Sequence, residues 1–524
     1  MLHCARRGFF QPDIYVDIEA EINMELTKVI LHSDYQIAPV DSRIFGGFLE
    51  HIGRAVYEGV YDPQSKHADK HGFRKDVLSS LKPLAFTAMR YPGGNFASGY
   101  HWLDGVGPRS ARPVLQELAS LSIEPNQFGT DEFIQLALKM NWTPMITANL
   151  GTGTPEEARN WVEYCNGPVG TRFSNLRVEN GSVEPYGVKL WGLGNEMDGP
   201  WQQGHVPASQ YAIRAHQAAK LMKDTDPSIE LVICGSAEIG LPTYMEWDRT
   251  VLEYIGDYTD HISLHRYVGN LTGDTADYLA VTNSIDQQIE VMDGLCRYVQ
   301  AKTRSRKRHY LAFDEWNVWY RTQNAESVNG HGKFAQHLVE EEYNLEDALV
   351  VAGFLNSFIR HADVVKIANL AQIVNVIAPI LTRGDQILLQ SIYYPLALYA
   401  QRREGVSLQA IVRGPGYESK NYGFVHTIDA SAILGKGLLH TFLVNRSTHD
   451  PATVEITPAG LQLKSVQSAE LVTGPSAAAC NTYTQPDLIH SQKLGKIKIG
   501  DNIATVQLPP LCVAAISLCI DDCV

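Results

Sequence analysis

The chain has 524 residues, 44% hydrophobic and 19% charged, with a formal net charge of −14. That length buries a large core without disulfide or metal staples and leaves room for a large barrel plus a second domain. The acidic balance argues against a nucleic-acid partner, which calls for a basic surface, and no window is apolar for long enough to span a membrane.

Residues 1–39 form a leading segment. Its start, MLHCARRGFFQPDIYVDIEAEI, is basic but holds no apolar run of signal-peptide length, which points to the cytoplasm, with secretion as the alternative. The stretch MELTKVILHSDYQIAP reads as strand and is expected to join a sheet built by the far end of the chain.

From residue 40 to 385, short apolar runs alternate with helical patterns. The runs are SRIFGGFLEH, FTAMRYPGG, WTPMITANLG, VKLWGLGNE, IELVICGSAE, HISLHRYVGN, HYLAFDEWNVW and VVKIANLAQ. Each is apolar and ends in polar residues, the pattern of a strand buried on both faces. Helical segments such as GTDEFIQLALKM, TPEEARNWVEYC, PASQYAIRAHQAAKLMKD and LEDALVVAGFLNSFIRHAD lie between them. Thr154 and Glu157 have capping-box spacing, with Pro155 at the first helical position. Eight strands interleaved with helices predict a (β/α)8 TIM barrel. An open doubly wound sheet is the alternative, but no GxGxxG follows the first strand and no phosphate loop appears. The basic run KTRSRKR, Lys302 to Arg308, precedes the seventh strand and reads as a solvated face at the end of the barrel away from chemistry.

Residues 386–524 change texture. SLQAIVRGP, GFVHTIDASAILG, LLHTFLVNRS, ATVEITPAG, AELVTGP, GKIKIG and ATVQLPPLCVAAISL are short strand-like runs divided by Gly, Pro and Asn. They predict an all-β sandwich, jelly-roll-like. The eight cysteines include no pair of CxxC motifs and read as reduced thiols, with a late disulfide between Cys519 and Cys523 left open.

A barrel of this kind carries its active site at the carboxyl ends of its strands. Those ends supply Glu50 and His51, then Arg90 to Asn95, Asn149, Asn195 and Glu196, His265 and Tyr267. The last two strands add Asp314 to Asn317, Trp319, Asn369 and Gln372. Carboxylates, amides and rings on one rim suit the hydroxyls and the face of a sugar. One glutamate at a strand end is usually a solvated turn residue. Two of them, Glu196 and Glu315, match the need of glycoside hydrolysis for one carboxylic acid and one carboxylate in a shared cleft.

Asp314 rivals Glu315. Strand alternation sends neighbours to opposite faces, so Asp314 is expected to face the helix layer. The same rule sets Asn195 against Glu196 unless a twist or bulge brings both round. Arg90 reads as a buried charge paired with a strand-end carboxylate. His265 reads as a hydrogen-bonding partner rather than a metal ligand, since no second histidine stands two or four residues away. Trp201 and Trp319 stay open between core and substrate stacking. Among enzymes, an endo-β-glucanase or β-xylosidase is the nearest rival; a catalytically silent carbohydrate-binding barrel and a metal-dependent hydrolase are the others.

GNEMDGPWQ, RYPGGNFASGYHW with DGVGP, FGGFLEHIGRAVYEGVYDP, HRYVGN, FDEWNVWY and NLAQIVNVIAPI resemble the α-L-arabinofuranosidases of glycoside hydrolase family 51. The likeness runs in the family's order over about residues 40–385. It implies a retaining, exo-acting enzyme that releases terminal arabinofuranosyl units from arabinan, arabinoxylan or arabino-oligosaccharides. By motif, Glu196 would be the general acid/base and Glu315 the nucleophile. Glu50, Asn95, Asn195, Tyr267 and Gln372 match positions that bind the furanose ring, and His265 and Trp319 would line the same pocket. The resemblance implies no metal or organic cofactor, and a homo-oligomer, with a hexamer among the forms expected.

Overall fold

The computed structural model describes residues 26–522, apart from 325 and 327. The leading segment before Leu26 and the pairing of Cys519 with Cys523 therefore lie outside the described residues. Among the described residues no two of the six cysteines are bridged to each other.

The barrel strands are β1 (Gly46–Phe48), β2 (Ala88–Tyr91), β3 (Thr143–Ala148), β4 (Leu190–Leu193), β5 (Glu230–Ile233), β6 (His261–Val268), β7 (Tyr310–Val318) and β8 (Val365–Leu370). They pair in parallel in chain order, and β8 closes against β1. Closure rules out the doubly wound sheet. Met145, Leu190, Val232, Ala312 and Ile367 fill the interior. Their neighbours Ile146, Trp191, Ile233, Phe313 and Ala368 join the larger core against the helices. The apolar runs are unbroken because both faces of these strands are buried.

The helices lie where the periodicity puts them, at Thr130–Met140, Pro155–Asn166, Ala208–Thr225 and Leu345–Arg360. Thr154 Oγ1 accepts from the Glu157 N–H at 3.0 Å, but the Glu157 carboxylate turns to His101 Nδ1 at 2.9 Å, so only half of the expected capping box forms. The basic run before β7 is ion-paired as well as solvated: Lys302 with Glu253 at 2.7 Å, Lys307 with Asp260 at 3.0 Å, and Arg308 with Asp293.

Beyond the barrel, two sheets form the sandwich. One has five strands, in the order Ile411–Arg413, Leu26–His32, Ala452–Ala459, Ile503–Leu508, Lys498–Gly500. The other has seven, in the order Gln36–Pro39, Val406–Leu408, Ile428–Gly435, Leu438–Asn445, Cys512–Asp522, Leu461–Thr473, His490–Lys493. Val29, Leu31, Leu443, Val454, Val506 and Ile516 share the core between them. Two runs that read as single strands in sequence each break and change sheets. One passes from Val406–Leu408 to Ile411–Arg413, and the other from Ile503–Leu508 to Cys512–Asp522. In the second the break falls at Pro509 and Pro510, which cannot donate to a ladder.

The outer face of the seven-stranded sheet packs on the barrel. Tyr399, in the buried helix Tyr393–Ala400, stacks on Phe442 with ring centroids 4.1 Å apart. Beside it, Asp429 accepts from Arg360 NH1 at 2.8 Å and Asn356 Nδ2 at 2.8 Å, and pairs with Arg446 at 3.0 Å. Asp429 is buried between two guanidiniums, so its loss strands positive charge at the junction. Asp429→Ala is expected to lower unfolding stability by about 3 kcal/mol, read from urea melts of the full chain. An unchanged midpoint would show that the junction does not depend on this pair.

Candidate active site

Arg90, on β2, is fully buried inside the barrel. Its guanidinium donates to Glu315 Oε1 at 2.7 Å and to Asn195 Oδ1 at 2.6 Å, and its Nε lies 3.2 Å from Asp314 Oδ2. Its flat face rests on the Phe48 ring, 4.6 Å from the centroid. The strand-end pairing expected of Arg90 is thus present, with two carboxylates rather than one.

Asp314 does not face the helix layer. It accepts from the Ser263 hydroxyl at 2.5 Å and lies 3.3 Å from His265 Nε2, within the barrel. The reason is a bulge. Ser263 pairs with Ala312 but His265 pairs with Glu315, so β7 carries one residue more than β6 over this stretch. The same slip appears against β8, between Phe313 and Trp316. Phe313 and Trp316 both pack on Phe358 in the helix layer, and the two acids between them both turn inward.

The Asn195–Glu196 pair is accommodated differently. After β4 the backbone enters the left-handed region at Gly194 (φ 87°) and again at Glu196 (φ 46°). Asn195 turns down to Arg90, and Glu196 turns into the open mouth. There Glu196 accepts from the Trp201 indole N–H at 2.7 Å and meets His265 Nδ1 at 2.8 Å. Left-handed backbone is costly for a residue with a side chain and persists where neighbours hold it.

Glu315 Oε2 accepts from the Tyr267 hydroxyl at 2.8 Å. Burial pushes the Glu315 carboxyl upward, with His265 and Arg90 pulling it back. Burial also opposes the charge on His265, but Glu315, Asp314 and Glu196 outweigh it and hold the imidazole well above its usual range. This is the hydrogen-bonding role that the sequence suggests for His265.

Glu50 follows β1, two strands round the barrel from Glu315 on β7. Its Oε1 accepts from the N–H groups of Gly94 at 2.9 Å and Phe96 at 3.1 Å. Gln372 clasps it twice, donating to Oε2 at 3.0 Å and accepting from the Glu50 N–H at 3.0 Å. Burial and the nearby Glu315 push Glu50 up to about 8. Gly94 is required by close approach: a Cβ there would come within 2.7 Å of Glu315 Oε1. Asn95 is exposed beside it and accepts from Asn195 Nδ2 at 3.3 Å. Trp319 meets Tyr267 edge-on with centroids 5.4 Å apart.

Of the nine residues that the family motifs single out, all but Asn195 line one cavity of about 710 Å³, and Asn195 lies just beneath it. Trp201 lines it too and is 46% exposed, which places it on the rim rather than in the core. Three strand-end amides are turned to the scaffold. Asn149 accepts from the N–H groups of Gly151, Thr152 and Gly153, each at 3.0 Å. Asn317 donates to backbone carbonyls of Ala371 and Ile377, and Asn369 lies against Met145. His51 reaches the cavity wall, but its ring is held by Glu124 at 2.8 Å and Tyr91 at 3.0 Å.

One oxygen each of Glu196 and Glu315, and a ring nitrogen of His265, lie within 4.8 Å of one another. Among the described residues this is the one acid–histidine group with a spacing that would admit a cation. Its oxygens are already met by Arg90, Tyr267 and Trp201.

Two family models match the chain, an α-L-arabinofuranosidase 1 domain over residues 80–278 and an α-L-arabinofuranosidase C-terminal domain over residues 314–512. A Bacillus subtilis (strain 168) protein named intracellular exo-α-(1→5)-L-arabinofuranosidase 1 is 42% identical over 492 residues, 93% of this chain and 98% of that one. The chain belongs to glycoside hydrolase family 51. A Bifidobacterium longum relative named exo-α-(1→6)-L-arabinofuranosidase is 40% identical over 462 residues, 86% of this chain and 88% of that one. The solved structure of a family 51 α-L-arabinofuranosidase from Bifidobacterium longum superposes with a TM-score of 0.90 at 34% identity, covering 94% of this chain and 99% of that one. The family 51 likeness therefore extends past the barrel through the sandwich.

The buried Glu50 gives a pH signature. It ionises near 4.5 in an unfolded chain and near 8 in the fold. Between those values the folded state keeps a proton that the unfolded state has released, so stability falls as pH rises through that window. Glu50→Gln removes this contribution. Its urea midpoint is expected to fall less between pH 5 and pH 8 than that of the parent, and parallel curves would contradict the assignment.

Proposed function

We propose that this family 51 chain is a retaining, exo-acting α-L-arabinofuranosidase with Glu315 as nucleophile and Glu196 as general acid/base. The observation that carries the mechanism is the short reach between the two carboxylates, whose oxygens come within 4.8 Å. A retaining pair stands roughly 5–5.5 Å apart, whereas an inverting pair needs roughly 6.5–9.5 Å to admit a water.

The chemistry follows from the contacts. Glu315, held by Arg90 on one oxygen and Tyr267 on the other, attacks the anomeric carbon of a terminal arabinofuranosyl unit. As the glycosidic bond breaks, Glu196 gives its proton to the departing oxygen, and an ester of Glu315 remains. Glu196, now a carboxylate, takes a proton from water as that water attacks the same carbon and releases arabinose. His265 and Trp201 each hold one Glu196 oxygen, which keeps the group facing the cavity. Glu50, Asn95, Gln372 and the amide of Asn195 offer donors and acceptors to the ring hydroxyls, with Trp319 beside them.

The substrates proposed are arabinan, arabinoxylan and arabino-oligosaccharides, cut at a terminal arabinofuranosyl unit. The two relatives differ in the linkage their names carry, (1→5) and (1→6), so the proposal is made at the level of the terminal sugar. No metal or organic cofactor enters the proposed reaction. The proposal includes a cytoplasmic homo-oligomer, with a hexamer among its forms. The Bacillus subtilis relative is named intracellular, and no described helix is long and apolar enough to cross a membrane.

Glu315→Ala is expected to lose at least ~10⁴-fold in kcat on an aryl α-L-arabinofuranoside, as removal of a nucleophile does. Azide should restore turnover with an activated substrate and give the azide of inverted anomeric configuration. Ordinary hydrolysis by this variant would sink the assignment. For the parent enzyme, NMR of the first-formed sugar should show the α-anomer, and an initial β-anomer would mean inversion. A panel of aryl glycosides, repeated with chelator, separates this reading from a β-xylosidase, an endo-β-glucanase or a metal-dependent hydrolase.

A further inference from the structure

Asp198 stands two residues past Glu196 in the same turn and is 2% exposed. Both of its oxygens accept from one donor, the Ala237 N–H, each at 3.1 Å. Among the described residues no basic side chain forms an ion pair with it, and burial, with Glu196 and Asp248 nearby, pushes it up to about 7. A buried carboxyl with so little compensation is unfavourable by itself, so its use must lie in what it holds.

What it holds is the end of β5 against the Glu196 turn. Ser236, one residue before Ala237, is gripped by Asp248, which accepts from its N–H at 2.8 Å and its hydroxyl at 2.5 Å. Ser236 and Ala237 are thus pinned between Asp248 on one side and Asp198 on the other. Ala237 in turn lines the cavity. The turn needs an anchor, because Glu196 occupies left-handed backbone. Its other ties include a Gly199 N–H to the Glu196 carbonyl at 2.8 Å, a Met197 N–H to Cys234 Sγ at 3.2 Å and His205 Nδ1 to the Met197 carbonyl at 3.0 Å.

We propose that Asp198 is a positioning residue for the general acid/base: by clasping the Ala237 N–H it fixes the turn that aims the Glu196 carboxyl at the leaving oxygen. This rests on the reading of Glu196 as acid/base. Asp198 does not line the cavity. Its effect should therefore appear only where proton delivery matters.

The experiment compares kcat/KM on two substrates for the parent, Asp198→Ala, Asp198→Asn and Glu196→Ala. One substrate is an arabino-oligosaccharide, whose leaving oxygen needs a proton. The other is 2,4-dinitrophenyl α-L-arabinofuranoside, whose leaving group needs none. Asp198→Ala is expected to lower the oligosaccharide-to-aryl ratio of kcat/KM by roughly 10- to 100-fold, a misplacement-sized fraction of what general acid catalysis contributes. Asp198→Asn, which keeps an acceptor oxygen, should recover part of the ratio and guards against a variant that does not fold. Glu196→Ala should lower the ratio further. If Glu196→Ala lowers the ratio but neither Asp198 variant does, or both substrates fall together in them, the positioning role is overturned while Glu196 keeps its role. If Glu196→Ala leaves the ratio intact, the acid/base reading fails and takes this proposal with it.

Discussion

Glu50, Asp314 and Glu315 are buried at one end of the barrel, and the guanidinium of Arg90 is the cation at their centre. Carboxylates so close and so dry repel one another and resist ionisation, and Glu50 shows the result. Arg90 and the neighbouring His265 favour the charged forms of Asp314 and Glu315 there. Burial opposes the charge on Arg90, but Asp314 and Glu315 lead the groups that hold the guanidinium firmly charged. Its planar fork reaches Glu315, Asn195 and Asp314 from separate nitrogens while its face lies on Phe48. An ammonium group is a point charge and cannot make that set of contacts from one position. One side chain from β2 therefore ties together residues from β1, β4 and β7, with Glu315 held directly and Glu196 next in the chain to Asn195.

Regular geometry alone would not make this site. Ideal alternation presents every second residue of a strand, and an ideal strand end presents one of two neighbours. Here both acids of Asp314–Glu315 face inward because β7 carries an extra residue. Both members of Asn195–Glu196 are used because the chain turns left-handed on either side of Asn195. Each irregularity is held in place by polar contacts: the first by Arg90, Ser263 and His265, the second by Asp198, Cys234 and His205. The departures from regular structure and the functional groups coincide, as expected where local geometry is traded for chemistry.

Strand burial and strand register divide what is legible in the sequence from what is not. The eight barrel strands could be read because a strand buried on both faces is an apolar run, and a run ending in Asn, Glu, His or Tyr marks the catalytic end. Glu50, Glu196, His265, Tyr267, Glu315, Trp319 and Gln372 were legible on that ground and do converge on one cavity. The facing of Asp314 was not, because it depends on register between strands, which no single strand encodes. Asn149, Asn317 and Asn369 have the same chemistry and strand-end placement as Asn95 but are consumed by backbone groups and by Met145. The sheet changes near Leu408 and Pro509 were hidden because a strand that changes sheets keeps its apolar pattern. Asp198 was visible in the motif, but its partner is Ala237, on the next strand's loop.

The sandwich reaches this site through the start of one helix. The carbonyls of Ala479 and Ala477, in a loop of the sandwich, accept from the N–H groups of Leu345 at 2.8 Å and Glu346 at 3.1 Å. These are unsatisfied donors at a helix amino end, so the loop acts as its cap. The same turn carries Glu346 and Asp347, favourably placed against the helix dipole. Glu346 accepts from Asn270 and Thr275, which follow β6, while Asp347 accepts from Tyr278 at 3.0 Å and Arg321 at 2.9 Å. Nearby, Glu341 gathers the N–H groups of Tyr320, Arg321 and Thr322, and the Thr322 hydroxyl accepts from the Trp319 indole at 3.0 Å. A shift of the sandwich loop would thus be felt first at the helix cap, then by the loops after β6 and β7, and then by Tyr267 and Trp319. Among the described residues the second domain is tied to the cavity loops through this cap and contributes no side chain to the cavity lining.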